Sequence, residues 1–308
     1  MDNHFYLAQI AKLYYVDKVK QNEIAKRFGI TPMMVSRSLR EAEQKGIVTV
    51  HVKMPWPVHL ELGKRVKERY HLSECVVLDI AQGVQVPMML GGYLADYITN
   101  LLHPDMVIGL SWGYTISRFV DALPYVSTEN CSVIQLTGAF VSRDYTVTPT
   151  HIVQEVSKKL GARVHFLNAP LYVASQEVRQ SLADDPTNLI IRSMAERSDI
   201  NIIGASQFSR ETTTYQANVI TPEDYDELER LGAIGDCAGT FLNSSGEIIE
   251  WSRSPLYTGI PLRDIQKAKS VVCVAGEPEK AEVLRVSMQK KYINVLLTTR
   301  QTAERLLG

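Results

Sequence analysis

The chain has 308 residues, 45% of them hydrophobic, and a net charge of −1, which suffices for a substantial core and for a small domain beside a large one. No stretch approaches the roughly 20 consecutive apolar residues of a membrane helix, and the start MDNHFYLAQIAKLYY lacks the charged region and cleavage site of a signal peptide, so a cytoplasmic protein with no membrane partner is expected. Cys75, Cys131, Cys237 and Cys273 are far apart, without the short spacings of a zinc site or redox pair, which predicts buried thiols, no metal, no cofactor and no disulfide framework.

Residues 4–15 read as an apolar-rich helix that packs behind the next two elements. The segment Gln21 to Val52, QNEIAKRFGITPMMVSRSLREAEQKGIVTVHV, reads as two short helices around a tight turn, followed by a strand. In the first helix Ile24, Ala25 and Phe28 share a face, and Gly29 follows where a chain leaving a helix needs a positive φ. Thr31 offers an N-cap oxygen, and Pro32 takes the first helical position, where its missing N–H costs nothing. Val35, Leu39 and Ala42 then form a buried stripe, with Met33, Ser36, Arg37, Arg40 and Gln44 facing outward. Such a face can hydrogen-bond bases, pair with phosphate and touch a thymine methyl, its N-terminal residues lying nearest the base edges. The expected DNA contacts are Thr31, Pro32, Met33, Met34, Ser36, Arg37 and Arg40. Gly46 ends the helix, and the alternating IVTVHV predicts a wing strand. Winged helices also serve as protein-interaction modules; here the Ala25, Gly29, Val35 spacing coincides with the Thr-Pro cap and the outward Ser-Arg pair.

Charge agrees with DNA. Residues 1–53 hold nine Lys or Arg against five Asp or Glu, a surplus of four, so the other 255 residues stand near −5 and any attraction to phosphate comes from the front of the chain. The boundary falls at MPWP, 54–57, where two prolines interrupt regular structure. The expected organisation is a winged helix-turn-helix over 1–53, a linker helix within 54–72 and a large domain over 73–308. The linker pattern Leu60, Leu62, Val66, Tyr70 is amphipathic and suits either pairing between subunits or docking on the next domain.

Beyond it, short Val- and Ile-rich runs alternate with helical stretches: CVVLDI, 87–102, MVIGLSW, 114–123, CSVIQLTG, 150–160 and VHFLN, then DINIIGA, SVVCVAG, EKAEVLRVSMQ and INVLLTT. That alternation predicts an α/β domain with a parallel sheet covered on both faces, whose ligands bind at the carboxyl ends of the strands. Four polar loops are candidates there. GLSWGYT, 109–115, sets Ser111, Gly113 and Thr115 at a helix N-terminus suited to a phosphate or polyol. LTGAF, 136–140, follows the next strand. GAIGDCAGTFLNSSGE carries Asp236 between glycines, either a sugar-hydroxyl acceptor or a turn former, and AGEPEKAE carries Lys280, either a ligand contact or a solvated first-turn lysine. His151, after a Thr-Pro-Thr turn, is within reach of the same crevice, although a lone histidine is more often structural.

Through IAKLYYVDKVKQNEIAKRFGITPMMVSRSLREAEQKGIVTV, GLSWGYT, GAIGDCAGTFLNSSGE and VAGEPEKAEVLRVSMQKKYINVLLTTRQTAERLL, nearly the whole chain resembles the SorC family of bacterial sugar-responsive transcriptional regulators. The resemblance implies a winged helix-turn-helix joined to a Rossmann-like effector domain similar to sugar-phosphate isomerases and glucosamine-phosphate deaminases. It also implies a homotetramer whose affinity for operator DNA is altered by a sugar or sugar phosphate, the repressor being the commoner case. Carried over by position, Gly113, Tyr114 and Thr115 meet the phosphate or polar end of the effector, beside Ser111 of the same loop. Thr137, Gly138, Ala139 and Phe140 form a neighbouring wall with His151 close by, Asp236 accepts sugar hydroxyls, and Lys280 approaches an anionic or hydroxyl group. The LTGAF loop lacks the lysine with which some relatives can form an imine, so noncovalent binding is expected; Tyr114 and Phe140 are bulky where relatives often carry Arg, Gly or Thr.

The rival expectation is a sugar-phosphate isomerase or deaminase carrying a DNA-binding domain. Those reactions need a positioned acid and base. The stretch here that corresponds to the enzymes' catalytic loop is IGASQFSRE, where Gly204, Ala205, Ser206, Gln207 and Phe208 supply neither carboxylate nor imidazole, which favours a sensor over an enzyme.

Overall fold

The structure, a computed structural model, describes residues 3–48, 56–80 and 85–308, and the chain divides into two compact units, Met1–Pro55 and Trp56–Gly308. In the first unit α1 (Asn3–Ala11), α2 (Gln21–Phe28) and α3 (Pro32–Gln44) enclose a core of Leu7, Ile10, Ala11, Ile24, Ala25, Val35, Leu39 and Ala42. Gly29 leaves α2 in the left-handed conformation at φ +65°. The Thr31 side chain accepts a hydrogen bond from the Met34 amide at 3.3 Å, with Pro32 directly behind it, so the expected cap forms as read. The first helix departs from expectation at its end. It widens into a π-helical turn over Lys12–Val16, where the Asp17 amide bonds back to Lys12, and the Tyr15 hydroxyl donates to Glu43 at 2.6 Å, tying this turn to the end of α3. The expected wing strand falls largely on Thr49–Val52, which lie outside the described residues.

The second unit opens with α4 (Leu60–Tyr70), the helix read as a linker. Its Leu62, Val66 and Tyr70 are buried, and the Tyr70 hydroxyl donates to the Leu306 carbonyl at 2.7 Å. One face of the helix is thus docked on the α/β unit. There follow β1 (Glu74–Leu78), α5 (Val86–Leu101), β2 (Val107–Leu110), α6 (Tyr114–Ala122), β3 (Ser132–Gln135), α7 (Pro149–Leu160), β4 (Arg163–His165), α8 (Gln176–Ala183), α9 (Pro186–Glu196) and β5 (Ile200–Gln207). The chain continues through α10 (Thr213–Gln216), α11 (Pro222–Arg230), β6 (Ala233–Cys237), β7 (Thr240–Asn243), α12 (Leu262–Ile265), β8 (Ser270–Val274), α13 (Ala281–Gln289), β9 (Val295–Thr299) and α14 (Arg300–Leu307).

Seven strands form a parallel sheet in the order β1-β9-β8-β5-β2-β3-β4. Alternate residues feed opposite cores: Val76, Ile108, Val133 and Val272 bury on one face, Val77, Ile134, Cys273 and Leu296 on the other. This is why the strands read as continuous apolar runs rather than alternating ones. From β2 the chain winds outward through β3 to β4, then returns to lay β5 against the other side of β2, so the winding direction reverses between β2 and β5.

One element differs from the sequence reading. GAIGDCAGTFLNSSGE, read as a loop, contains β6 and β7, an antiparallel hairpin attached to the end of β5 through Ala205 opposite Cys237. Its turn residues Ala238 and Gly239 both have positive φ, +52° and +80°, the geometry of a two-residue type I′ hairpin. Cys131, Cys237 and Cys273 are buried free thiols and Cys75 is half-buried. Among the described residues no helix is long and apolar enough to cross a membrane.

Candidate functional site

Two sites stand out, one in each unit. In the first, α3 buries Val35, Leu39 and Ala42 and turns its other side to solvent, with Met33 81% and Met34 52% exposed, Arg37 and Arg40 exposed, and Ser36 half-buried. The cap at Thr31 and the proline fix the start of this helix, so its first turn is presented in one conformation.

In the second unit a cavity of about 240 Å³ opens at the carboxyl ends of β2, β5 and β8. Its position is where the winding of the sheet reverses, the usual ligand crevice of open α/β sheets. Ser111, Gly113, Tyr114 and Thr115, from the turn between β2 and α6, line it together with Asp236 from the hairpin and Lys280 from the segment after β8. Six of the residues read from the sequence therefore share one cavity, although they span 170 positions of the chain. Gly113 precedes α6 without a side-chain cap, which leaves the positive end of that helix directed at the cavity.

Thr137, Gly138, Ala139, Phe140 and His151 are not among the lining residues. The loop after β3 is drawn away by a ladder in which the Ala139 amide bonds to Ala169 and the Leu171 amide bonds to Ala139. Gly138 backs onto Leu171 and Thr258, with no space for a Cβ. Phe140 meets the cavity only through Trp112, whose ring it touches edge-on at 4.8 Å. His151, at the start of α7, packs against the Tyr145 ring at 4.9 Å. Tertiary bonding thus turns the loop 137–140 aside, and His151 stands on a separate element, the first turn of α7.

The residues missed by the sequence reading come mainly from β5 and the segment after it: Gly204 to Gln207 and Glu211 to Thr214 line the cavity, as do Trp112 and Glu277. The signal that finds them is their position after a central strand. The expectation that this region lacks carboxylates holds for Gly204–Phe208, but the cavity gathers Glu211, Asp236 and Glu277 from three separate segments and is not free of acids.

Asp236 is buried and held on both oxygens: the Thr214 hydroxyl donates to Oδ1 at 3.4 Å and the Gly239 amide to Oδ2 at 3.0 Å. Burial pushes its carboxyl up to about 6, against those two donors and the Lys280 charge, which favour the anion. Glu277 lies 2.7 Å from the Lys280 ammonium. Burial pushes this carboxyl up, yet the lysine outweighs it and the group titrates below the ordinary range. The cavity wall is thus largely hydroxyl, amide and aromatic, with its one ammonium already paired.

Comparison with known proteins agrees with this arrangement. The chain is 27% identical over 311 residues to the sorbitol operon regulator of Klebsiella pneumoniae, covering 98% of this chain and 97% of that protein. It is 24% identical over 301 residues to the erythritol catabolism regulatory protein EryD of Brucella abortus, covering 97% and 95%. The crystal structure of the full-length sorbitol operon regulator SorC from K. pneumoniae superposes with a TM-score of 0.79 at 25% identity, with all of both chains covered. Residues 57–308, the entire α/β unit but its first residue, match the family model described as a putative sugar-binding domain, and the chain belongs to that family.

Proposed function

We propose that this chain is a DNA-binding transcriptional regulator of a carbohydrate-utilisation operon, controlled by a sugar or sugar phosphate held noncovalently in the cavity between β2, β5 and β8. The observation that carries the reading is the pairing of a capped, outward-facing helix α3 in one unit with a polar crevice at the sheet's switch point in the other. The relatives named as regulators of sorbitol and erythritol genes support it across the full length of the chain. In this reading the 1–53 segment reads DNA, 73–308 binds effector and holds subunits together, and the functional form is a homotetramer of two dimers, acting as a repressor.

A two-fold dimer sets two recognition helices in major grooves about 34 Å apart, so the operator is a near-palindrome. Effector alters DNA affinity only to the extent that it binds two arrangements of the subunits differently. The helix 60–70 is the first helix of the second unit after the boundary at residues 55–56, and its reorientation by effector is the proposed way in which half-site spacing changes.

Catalysis is not part of the proposal. A base for isomerisation must be free to reach a substrate proton. Asp236 is engaged by Thr214 and Gly239 and Glu277 by Lys280, while the third carboxylate, Glu211, is solvent-exposed and no imidazole stands among the described lining residues to complete an acid-base pair. Incubating the protein with hexose and pentose phosphates should yield no isomer, and with glucosamine phosphate no ammonia, above the uncatalysed rate.

Thermal stability measured against a panel of sugars and sugar phosphates tests the cavity, because a ligand at about 100 times its Kd adds about 2.7 kcal/mol to the folded state. Asp236→Ala should leave operator binding intact while abolishing the effector response. An Asp236→Ala protein that responds at normal effector concentrations contradicts this assignment.

A further inference from the structure

The charges around the cavity restrict what it can hold. Among the described lining residues there are three carboxylates, Glu211, Asp236 and Glu277, against one ammonium, Lys280, and no guanidinium. Lys280 is itself bound to Glu277 at 2.7 Å, so its charge is already matched. Arg118, on the helix that begins at the cavity, is stacked on the Tyr114 ring at 4.9 Å and ion-paired with Asp121 at 2.8 Å. Residues 81–84, AQGV, bring no ionisable side chain by their sequence.

A phosphate ester carries between one and two negative charges at neutral pH, and forked arginines or free lysines commonly add to a helix N-terminus where it is bound tightly. Here such a group would add its charge to a surplus of negative side chains, with only the end of α6 and an already paired lysine in its favour. What the cavity does supply is hydrogen-bonding capacity. Ser111, Trp112, Ser206, Gln207 and Thr212 are among its lining residues, and the Gln207 side-chain oxygen, shielded from solvent in that wall, has no hydrogen-bond partner. An unpaired buried acceptor is costly. A ligand hydroxyl would satisfy it once the Gln207 amide turns outward into the cavity.

Building on the reading of this cavity as the effector site, we propose that its ligand is an uncharged polyhydroxylated molecule, a free sugar or sugar alcohol, and that Gln207 is a specificity-determining residue that accepts a hydrogen bond from one of its hydroxyls. A cavity of about 240 Å³ has room for several waters, the space that one such molecule would take over.

The test uses the full chain in calorimetric titrations and thermal shifts with four- to six-carbon sugars and sugar alcohols, the phosphate esters of the same compounds, glucosamine and inorganic phosphate. The expected result is binding of at least one neutral compound, with its phosphate ester at least tenfold weaker and inorganic phosphate neither binding nor displacing it. Gln207→Leu should weaken the neutral ligand at least tenfold, and Glu277→Gln, which releases Lys280, should narrow the preference over the phosphate ester. Tighter binding of a phosphate ester, inorganic phosphate or glucosamine than of the neutral parent overturns the inference while leaving the cavity as the effector site. Silence of every class overturns both.

Discussion

At the residue scale, Asp236 carries the clearest pH signature. Its folded carboxyl titrates near 6 whereas its ordinary value is 3.8, so the folded protein holds this proton more tightly than the unfolded chain. The contribution is therefore full below about pH 4 and is lost as pH rises through about 6. A two-unit shift corresponds to roughly 3 kcal/mol. Asp236→Asn removes the titration, so the melting temperature of the variant minus that of the parent should climb between pH 4 and pH 7; a difference that stays flat over this window would mean the carboxyl is not desolvated as described. Arg37 is the corresponding residue of the DNA face. As an exposed cation on the outer side of α3, its replacement by alanine should weaken operator binding by about 1–3 kcal/mol and, if it meets phosphate, lower the salt slope by about one.

At the element scale, the first unit depends on a small core, eight buried side chains from three helices among the described residues. Leu39→Ala empties part of it at a cost of about 2–5 kcal/mol. DNA binding should be lost while the sugar-induced thermal shift of the α/β unit persists, read by differential scanning fluorimetry beside gel retardation. The hairpin turn at Ala238 and Gly239 is the other sensitive element. With Gly239 at φ +80°, Gly239→Ala should lower stability in urea by about 1 kcal/mol and weaken sugar binding, since the same amide donates to Asp236.

The helix-turn-helix was legible because its signals are local: a Gly at a positive φ, a Thr-Pro cap and an apolar stripe of three residues all lie within two adjacent short helices and the turn between them. The β2, β5, β8 and β9 runs were legible because both faces of a parallel strand are apolar. The β6–β7 hairpin escaped because its strands, AIGDC and TFLN, are short and contain Gly and Asp. What makes AIGDC a strand is its pairing with the end of β5, a long-range bond no local pattern announces. The same reason explains the LTGAF loop, which the backbone ladder from Ala139 to Ala169 and Leu171 turns away from the cavity, and Gln207, whose role arises only where β5 meets the hairpin.

At the scale of the whole molecule, the chain joins a DNA-reading unit to a member of the sugar-binding domain family, and the central claim is that occupancy of the cavity changes affinity for DNA. Coupling of this kind ordinarily amounts to 1–3 kcal/mol, about 5–150-fold. The most direct measurement is selection of the full-length protein against a random duplex pool, followed by titration of the enriched sequence with and without the sugar that stabilises the protein. The account predicts a near-palindrome with half-sites one helical turn apart, an affinity changed at least fivefold by the sugar, and no such change in Asp236→Ala. Absence of any enriched sequence, or an affinity that the stabilising sugar leaves untouched, would contradict it.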